Sequence, residues 1–353
     1  MTPSTRAALD AGRTQFNARE YFEAHETWEH AWRAEQGEHK QLLQALILVA
    51  AGCHKATKGE PVGTVKLLRS ALGKLAPFPA VVADLALGAL REQVAVALAH
   101  AERWQHDDAP PLVPELRLER ASERLARAAL NNAEWCAAVW RSHGLPVEQA
   151  HGLWFCPRRV PQFYPNVVTV DSDAEPRAQA ALIAELARDR ALRPFVKDSF
   201  DGLDLSPLGF SVQFDAHWLG LRRPTAPAQT TDGLTWRRVT DESTLAGWER
   251  AWRGGDPTPD RVFRPELLED ARVCILAGFD GQHRLCAGGI AHTSAGVTGL
   301  TNVFGAYGEV VTAVVRQLSP AEVVCYERGA ELALVEQLGF APLGRLKVWA
   351  SAA

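Results

Sequence analysis

The densest run of side chains able to bind a metal or move a proton is His25-Glu26-Thr27-Trp28-Glu29-His30. On a helix, His25 and Glu29 stand one turn apart on a common face, a spacing at which an imidazole and a carboxylate can ligate one divalent metal. His54, on the next predicted helix, is the expected third ligand. Glu26 is rotated away by about 100° and would act only from behind the ligands. The competing reading is a hydrogen-bonded polar cluster of His25, Glu29 and His54 inside an aromatic-rich bundle, because buried polar groups are normally satisfied in this way. The text is not His-Glu-x-x-His, so it lacks the second imidazole of the zinc-peptidase pattern. Far along the chain, His292 at the end of a predicted strand has the chemistry of a general base; a surface histidine is the alternative. Trp154 with Phe163-Tyr164-Pro165-Asn166 offers aromatic and amide groups that suit either a pocket wall or core and turn positions. Asn131, Asn132, Trp135 and Trp140 share a predicted helix and read as packing, as do Trp248 and Trp252.

The elements that must position these groups divide into two textures. Up to His106, Ala, Leu, Glu, Gln and Arg dominate, with breaks at Gln36-Gly37, Lys58-Gly59-Glu60-Pro61 and Pro77-Phe78-Pro79. Between the breaks, Tyr21-Phe22, His25, Trp28-Glu29 and Trp32 recur at helical spacing. Leu42 to Ala51 is apolar nearly all round, which places that helix centrally. Residues 1–106 are therefore expected to form an all-α bundle.

Proline-rich punctuation follows at Asp107-Asp108-Ala109-Pro110-Pro111 with Pro114, and again from Arg223 to Gly233. It delimits segments 115–222 and 234–353. The last segment reads as a strand at Thr235–Val239, a helix after the N-cap Asp241, and a short helix at Pro265–Glu269. Strands at Val273–Ala277 and Leu285–His292 flank the hairpin signal Asp280-Gly281. A strand at Gly299–Phe304, a helix at Glu309–Leu318, a strand at Val323–Tyr326, a helix at Ala330–Gln337 and a last strand ending near Trp349 complete it. The middle segment echoes this order: Gly152-Leu153-Trp154, Pro165 to Val168, a helix at Arg177–Arg188, then Leu208-Gly209-Phe210 matching Leu338-Gly339-Phe340. A weak internal duplication is expected, and with it a multidomain α and α/β protein.

The chain has 353 residues with 38 basic and 42 acidic side chains, a formal charge of −4, which argues against a nucleic-acid partner. No apolar run reaches membrane-span length, and the first residues lack the apolar core of a signal peptide. The six cysteines are scattered, with no Cys-x-x-Cys pair, and fit a reducing cytoplasm.

Two resemblances follow. Phe16-Asn17-Ala18-Arg19-Glu20-Tyr21-Phe22-Glu23-Ala24-His25-Glu26-Thr27-Trp28-Glu29, then Trp32, Gln44-Ala45-Leu46-Ile47 and His54, resembles the domain-of-unknown-function family 309 over about residues 8–75. That implies a small helical module and no established chemistry. The element order of 234–353, with Leu334-Val335-Glu336-Gln337-Leu338-Gly339-Phe340, resembles the GNAT acyltransferase superfamily, with 115–222 as a degenerate GNAT-like unit.

The GNAT resemblance implies an N-acyltransferase using acetyl-coenzyme A, a small-molecule or protein amine as acceptor, and direct attack of the amine on the thioester. The strand Gly299–Phe304 would hold the pantetheine arm, a backbone N–H near Val303 or Phe304 would polarise the carbonyl, and Gly305-Ala306-Tyr307-Gly308 would face the pyrophosphate. His292 or a water would take the amine proton. The family's tyrosine acid falls at Val335, so Tyr326, with Tyr307 as the alternative, is assigned its role. Asp171, Asp173 and Glu175 at the equivalent turn of the middle segment would repel a phosphate, which leaves that copy as a structural partner. Glu309 is likewise unfavourable beside a pyrophosphate. The other readings are a non-catalytic GNAT-like scaffold or adaptor, and the metal site at His25, Glu29 and His54. The bundle is assigned a regulatory, acceptor-presenting or self-associating role, the last making the chain a homo-oligomer.

Overall fold

The computed structural model describes residues 1–189, 191–222, 224, 233–255 and 260–351. The linker expected from Arg223 to Gly233 lies, except for Pro224 and Gly233, outside them. By internal contacts the chain separates into two compact units, Met1–Glu123 and Arg124–Ala353. Among the described residues, no helix is long and apolar enough to cross a membrane.

The first unit holds helices α1 (Pro3–Asn17), α2 (Tyr21–Ala34), α3 (Gly37–Thr57), α4 (Pro61–Leu75) and α5 (Leu87–Gln105). The α2–α3, α3–α4 and α4–α5 boundaries fall at the glycine and proline breaks, whereas α1 and α2 are separated at Ala18-Arg19-Glu20, with Arg19 at φ 68°. α1 opens on Thr2, whose hydroxyl accepts from the Thr5 N–H, with Pro3 at the first helical position, where its missing N–H removes no helix bond. α3 is central: Leu42, Leu43, Ala45, Leu46, Val49, Ala50 and Cys53 are all buried. Phe16 packs on Tyr21 and Trp28, with ring centroids 5.3 and 5.9 Å apart.

The prolines at 110–114 do not lead to a free linker. They begin an extended segment laid on the bundle, with Leu116 and Leu118 buried in its core. The Tyr21 hydroxyl donates to the Pro114 carbonyl at 2.9 Å, and the Arg117 N–H donates to the Gln93 side-chain Oε1 at 2.8 Å. Anchored from several sides, this segment belongs to the bundle, and the contact boundary falls at Glu123.

The second unit begins within α6 (Ala121–Ser142). It continues through β1 (Glu148–Ala150), β2 (Leu153–Phe155), β3 (Val167–Thr169), α7 (Pro176–Ala187), β4 (Phe195–Asp198), β5 (Phe210–Arg222), β6 (Thr235–Arg238) and α8 (Glu242–Trp252). Then come β7 (Val273–Phe279), β8 (Leu285–Ser294), β9 (Val297–Phe304), α9 (Tyr307–Leu318), β10 (Glu322–Glu327), α10 (Gly329–Gln337) and β11 (Ala341–Ser351).

The strands form one sheet in the order β1-β2-β3-β4-β11-β5-β10-β9-β8-β7-β6. Apart from β6, which pairs antiparallel with β7 at one edge, it is symmetric about the antiparallel β11–β5 pair. On one side β1, β2 and β3 are antiparallel, β3 and β4 parallel, and β11 closes the set. On the other, β7, β8 and β9 are antiparallel, β9 and β10 parallel, and β5 closes it. Each half's last strand thus pairs inside the other half. The segments 115–222 and 234–353, read from the sequence as two units, are therefore joined in one sheet that neither could complete alone.

The sheet is covered on both faces. Ile275, Ala277 and Ile290 pack under α6 and α8, while Cys274, Leu276 and Ala291 pack under α9, the alternation that a strand imposes. The helix predicted from Glu309 starts two residues earlier, at Tyr307, and Asp241 caps α8 through the Thr244 N–H as expected.

Candidate functional site

The central feature is a parallel strand pair that comes apart. β9 and β10 are in register only at Thr298–Val323 and Gly299–Val324. Beyond Gly299, β9 leaves its neighbour and bends. Opposite β8 it steps three residues, Thr301 to Phe304, against two, Ile290 to Gly288, which is a β-bulge. Asn302 sits in it at φ 53°, a left-handed conformation that asparagine tolerates better than most residues.

A side-chain relay holds the bulge. The Trp135 indole N–H donates to the Tyr164 oxygen at 3.0 Å, and the Tyr164 hydroxyl donates to Asn302 Oδ1 at 3.2 Å. Burial pushes the Tyr164 pKa well above the phenol range, so the hydroxyl keeps the proton it donates.

The strand then turns into α9 through Gly305 at φ 78°. A Cβ there would stand 2.5 Å from the Cys286 carbonyl oxygen, so the position admits only glycine. Gly305 and Ala306 are exposed. Ala306 supplies no side-chain cap, so the N–H groups opening α9 meet no capping oxygen from it. α7, in the equivalent place of the other half, is different: the Glu175 carboxylate accepts from the N–H groups of Arg177 and Ala178 at 3.1 and 2.7 Å. An anion would therefore meet N–H groups without a cap from Ala306 at α9, with the buried Glu309 carboxylate in the same turn, and a capping carboxylate at α7.

Of the six residues expected to hold the coenzyme, Gly305, Ala306 and Gly308 offer main chain only. Phe304 packs its ring 5.3 Å from Trp248, and Val303 packs against the α9 core. Tyr307 is buried and turns its side chain inward, its hydroxyl donating to Glu327 at 2.9 Å. Burial raises the pKa of both Tyr307 and Glu327. Glu309 is buried in the first turn of α9.

On the α6 face, next to the opening between β9 and β10, lies a cavity lined by Asn131, Asn132, Trp135, His292, Thr301 and Tyr326, among others. Its volume is ≈ 10 Å³ for the centre of a water-sized sphere, room for about one water. The two residues read from the sequence as base and acid, His292 and Tyr326, thus line one cavity. His292 is not on the surface: it is 1% exposed, its ring 5.9 Å from that of Trp135. Nδ1 faces the Ser294 hydroxyl at 3.3 Å, and Nε2 has no hydrogen-bond partner among the described residues. Burial, assisted by the Arg272 charge, lowers its pKa to about 4, so the ring is neutral near pH 7.

α6 closes this cavity through residues that the sequence presented as packing. Asn131 Nδ2 donates to the His292 carbonyl at 2.9 Å and to the Ser294 hydroxyl at 3.0 Å. Its Oδ1 lies 2.0 Å from where a Cβ on Gly299 would be, so the helix and strand approach because residue 299 has no side chain. Beside it, Asn132 Oδ1 accepts from the Lys197 ammonium at 2.9 Å. Lys197, on β4, also donates to the Tyr326 hydroxyl oxygen at 3.0 Å. One signal for these residues was present in the sequence: two adjacent asparagines inside Ala128-Ala129-Leu130-Asn131-Asn132-Ala133, where asparagine disfavours helix and needs another reason to be kept. Nothing local distinguishes Lys197.

In the first unit, His25 Nδ1 lies 3.1 Å from Glu26 and 3.7 Å from Glu29. These three groups, each partly or fully exposed, have ligand atoms within 4.8 Å of one another. The set differs from the one expected. Glu26 joins it through its carboxylate beside His25 Nδ1, and His54 stays out, its ring packed 5.5 Å from that of Phe22. Arg33 also holds Glu29 at 2.9 Å and lowers its pKa. One nitrogen and two oxygens suit a weak, open divalent site in competition with Arg33.

Residues 9–67 match the family model described as "Domain of unknown function (DUF309)". No curated protein matches the chain. Similar solved structures include a GCN5-related N-acetyltransferase from Kribbella flavida, at 13% identity and a TM-score of 0.42, covering 64% of this chain and 96% of that one. Another is a GCN5-related N-acetyltransferase from Sphaerobacter thermophilus, at 13% identity and a TM-score of 0.38, covering 65% and 91%. A functionally unknown conserved protein from Staphylococcus epidermidis is similar at 7% identity and a TM-score of 0.37, covering 56% and 83%.

Proposed function

We propose that the second unit binds an acyl-coenzyme A in the opening between β9 and β10 and transfers its acyl group to an amine. The observation that carries this reading is the two-residue β9–β10 pairing followed by a bulge, an exposed glycine turn and a helix start without a side-chain cap. A parted parallel pair exposes main-chain groups that an extended amide-containing arm can satisfy. The helix start beyond it favours a diphosphate. The thioester end would then lie by the α6-side cavity. There the amine nitrogen attacks the carbonyl carbon, the carbon–sulfur bond breaks, neutral His292 takes the amine proton through a water, and Tyr326 protonates the departing sulfur. The chain is divided for this work into a helical module, a middle segment completing the sheet, and the segment carrying the opening.

A second reading, binding without transfer, is favoured by one observation: α6 leaves room for about one water where an acceptor would arrive. Calorimetric titration with acetyl-coenzyme A, paired with a free-thiol assay in the presence of mixed primary amines, separates the two. Binding with thiol release supports transfer. Binding without release supports the scaffold, and the absence of binding overturns both.

A further inference from the structure

Lys197 is 5% exposed, and its ammonium meets an amide oxygen and a phenol oxygen; among the described residues it forms no ion pair with a carboxylate. The titratable groups facing it are Cys136 on α6 and Tyr326 on β10. Its charge also lies 4.3 Å from the Tyr326 ring centroid. Burying an ammonium without a counter-ion is unfavourable, and a packed apolar side chain would normally serve stability better. A charge kept in such a place is explained when negative charge appears beside it during function.

The geometry says where. An ammonium can only donate, so the Tyr326 oxygen is the acceptor in their 3.0 Å bond. The tyrosine's own proton must therefore point elsewhere. Tyr326 is partly exposed and lines the cavity beside β9. We infer that Lys197 is the positioning residue of a Lys197–Tyr326 pair, in which the ammonium fixes the phenol as a proton donor toward the cavity and holds the negative charge left when that proton departs. This rests on the acyl-transfer reading for its chemistry. As the carbon–sulfur bond breaks, its electron pair goes to sulfur, the Tyr326 proton follows, and the phenolate stays against Lys197 until solvent reprotonates it. Lys197 comes from the half of the sheet whose helix start is blocked by Glu175, so the two halves would share one reaction centre.

The test does not need the acceptor. A small aryl sulfonyl fluoride labels tyrosines through their phenolate, and peptide mass spectrometry gives the rate at Tyr326. Lys197→Met should label at least tenfold more slowly than wild type, Lys197→Arg should recover part of the rate, and Tyr326→Phe serves as the blank. Melting curves check that each variant folds, and Lys197→Gln replaces the methionine variant if that one does not. Equal labelling of wild type and the folded, uncharged variant overturns the pairing. Acetyl-coenzyme A should slow labelling of the wild type. If it does not while the dependence on Lys197 persists, the acyl-transfer reading fails and the pairing stands.

Discussion

Gly308→Asp separates anion binding from helix stability, because the two should move in opposite directions. Position 308 is the second residue of α9, and a Cβ there would meet only the flexible end of Leu338, 3.2 Å away. The fold can therefore accept the side chain. A carboxylate in the first turn favours the helix dipole by ~0.3–1 kcal/mol, so the variant should melt at or above the wild-type temperature. For a diphosphate on the same amides the sign reverses. At ~6 Å and an effective dielectric constant of ~40, one pair of charges repels by ~1.4 kcal/mol, and two phosphate charges double that. Salt screening reduces the sum, leaving a loss of ~10- to 100-fold in affinity. Gly308→Asn, similar in size without the charge, should lose less than about threefold. Calorimetry with acetyl-coenzyme A measures the affinities, and differential scanning calorimetry the stabilities. An aspartate variant that binds within twofold of wild type, or one that binds poorly only because it is unfolded at the assay temperature, refutes the reasoning.

Three further outcomes are expected. His292, faced by Arg272, Asp270 and Glu134, has its folded pKa lowered to about 4, below the unfolded value, so the unfolded chain binds the proton more readily between about pH 4 and 6.5. Its stabilising contribution, ~3 kcal/mol above that window, is lost as pH falls through it. Wild type should therefore lose more stability than His292→Gln from pH 7 to 4 in urea titrations, and parallel losses would contradict the burial argument. Gly299→Ala pushes a methyl group into Asn131 Oδ1 and should cost ~2–4 kcal/mol, with partial recovery in Gly299→Ala/Asn131→Ala. Denaturant midpoints would show it, and a neutral single substitution would disprove the tight α6–β9 contact. Finally, we propose that His25, Glu26 and Glu29 take up zinc weakly; millimolar zinc should raise the melting temperature of wild type and not of His25→Ala, and identical responses remove the metal reading.

The legible parts of the molecule were those fixed by local chemistry. Gly37 and Pro61 open α3 and α4, Gly59 and Pro77-Phe78-Pro79 follow the ends of α3 and α4, and Asp241 caps α8 through its own backbone neighbourhood. The repeated Leu-Gly-Phe text pointed to a duplication because the two copies occupy equivalent turns before β5 and β11. The exchange of those strands was not legible: a strand's sequence states which face is apolar and does not name its partner. The candidate site divides in the same way. Gly305 marks its turn through a backbone requirement that operates locally. Lys197 and Asn132 are 65 residues apart, and Lys197 and Tyr326 are 129 apart, so only the closed sheet brings them together. His25 and Glu29 sit one turn apart as their spacing demands, but the third group is set by a side-chain rotamer, which helical spacing does not determine.

We propose that main-chain groups from Thr301 to Glu309 receive the ligand. Amide hydrogen exchange, followed by mass spectrometry with and without saturating acetyl-coenzyme A, reads those groups directly. Peptides covering 300–309 should become at least several-fold more protected, while the equivalent turn at 170–178 should not change. Unchanged exchange at 300–309 under saturating ligand, or protection confined to 170–178, would contradict the account.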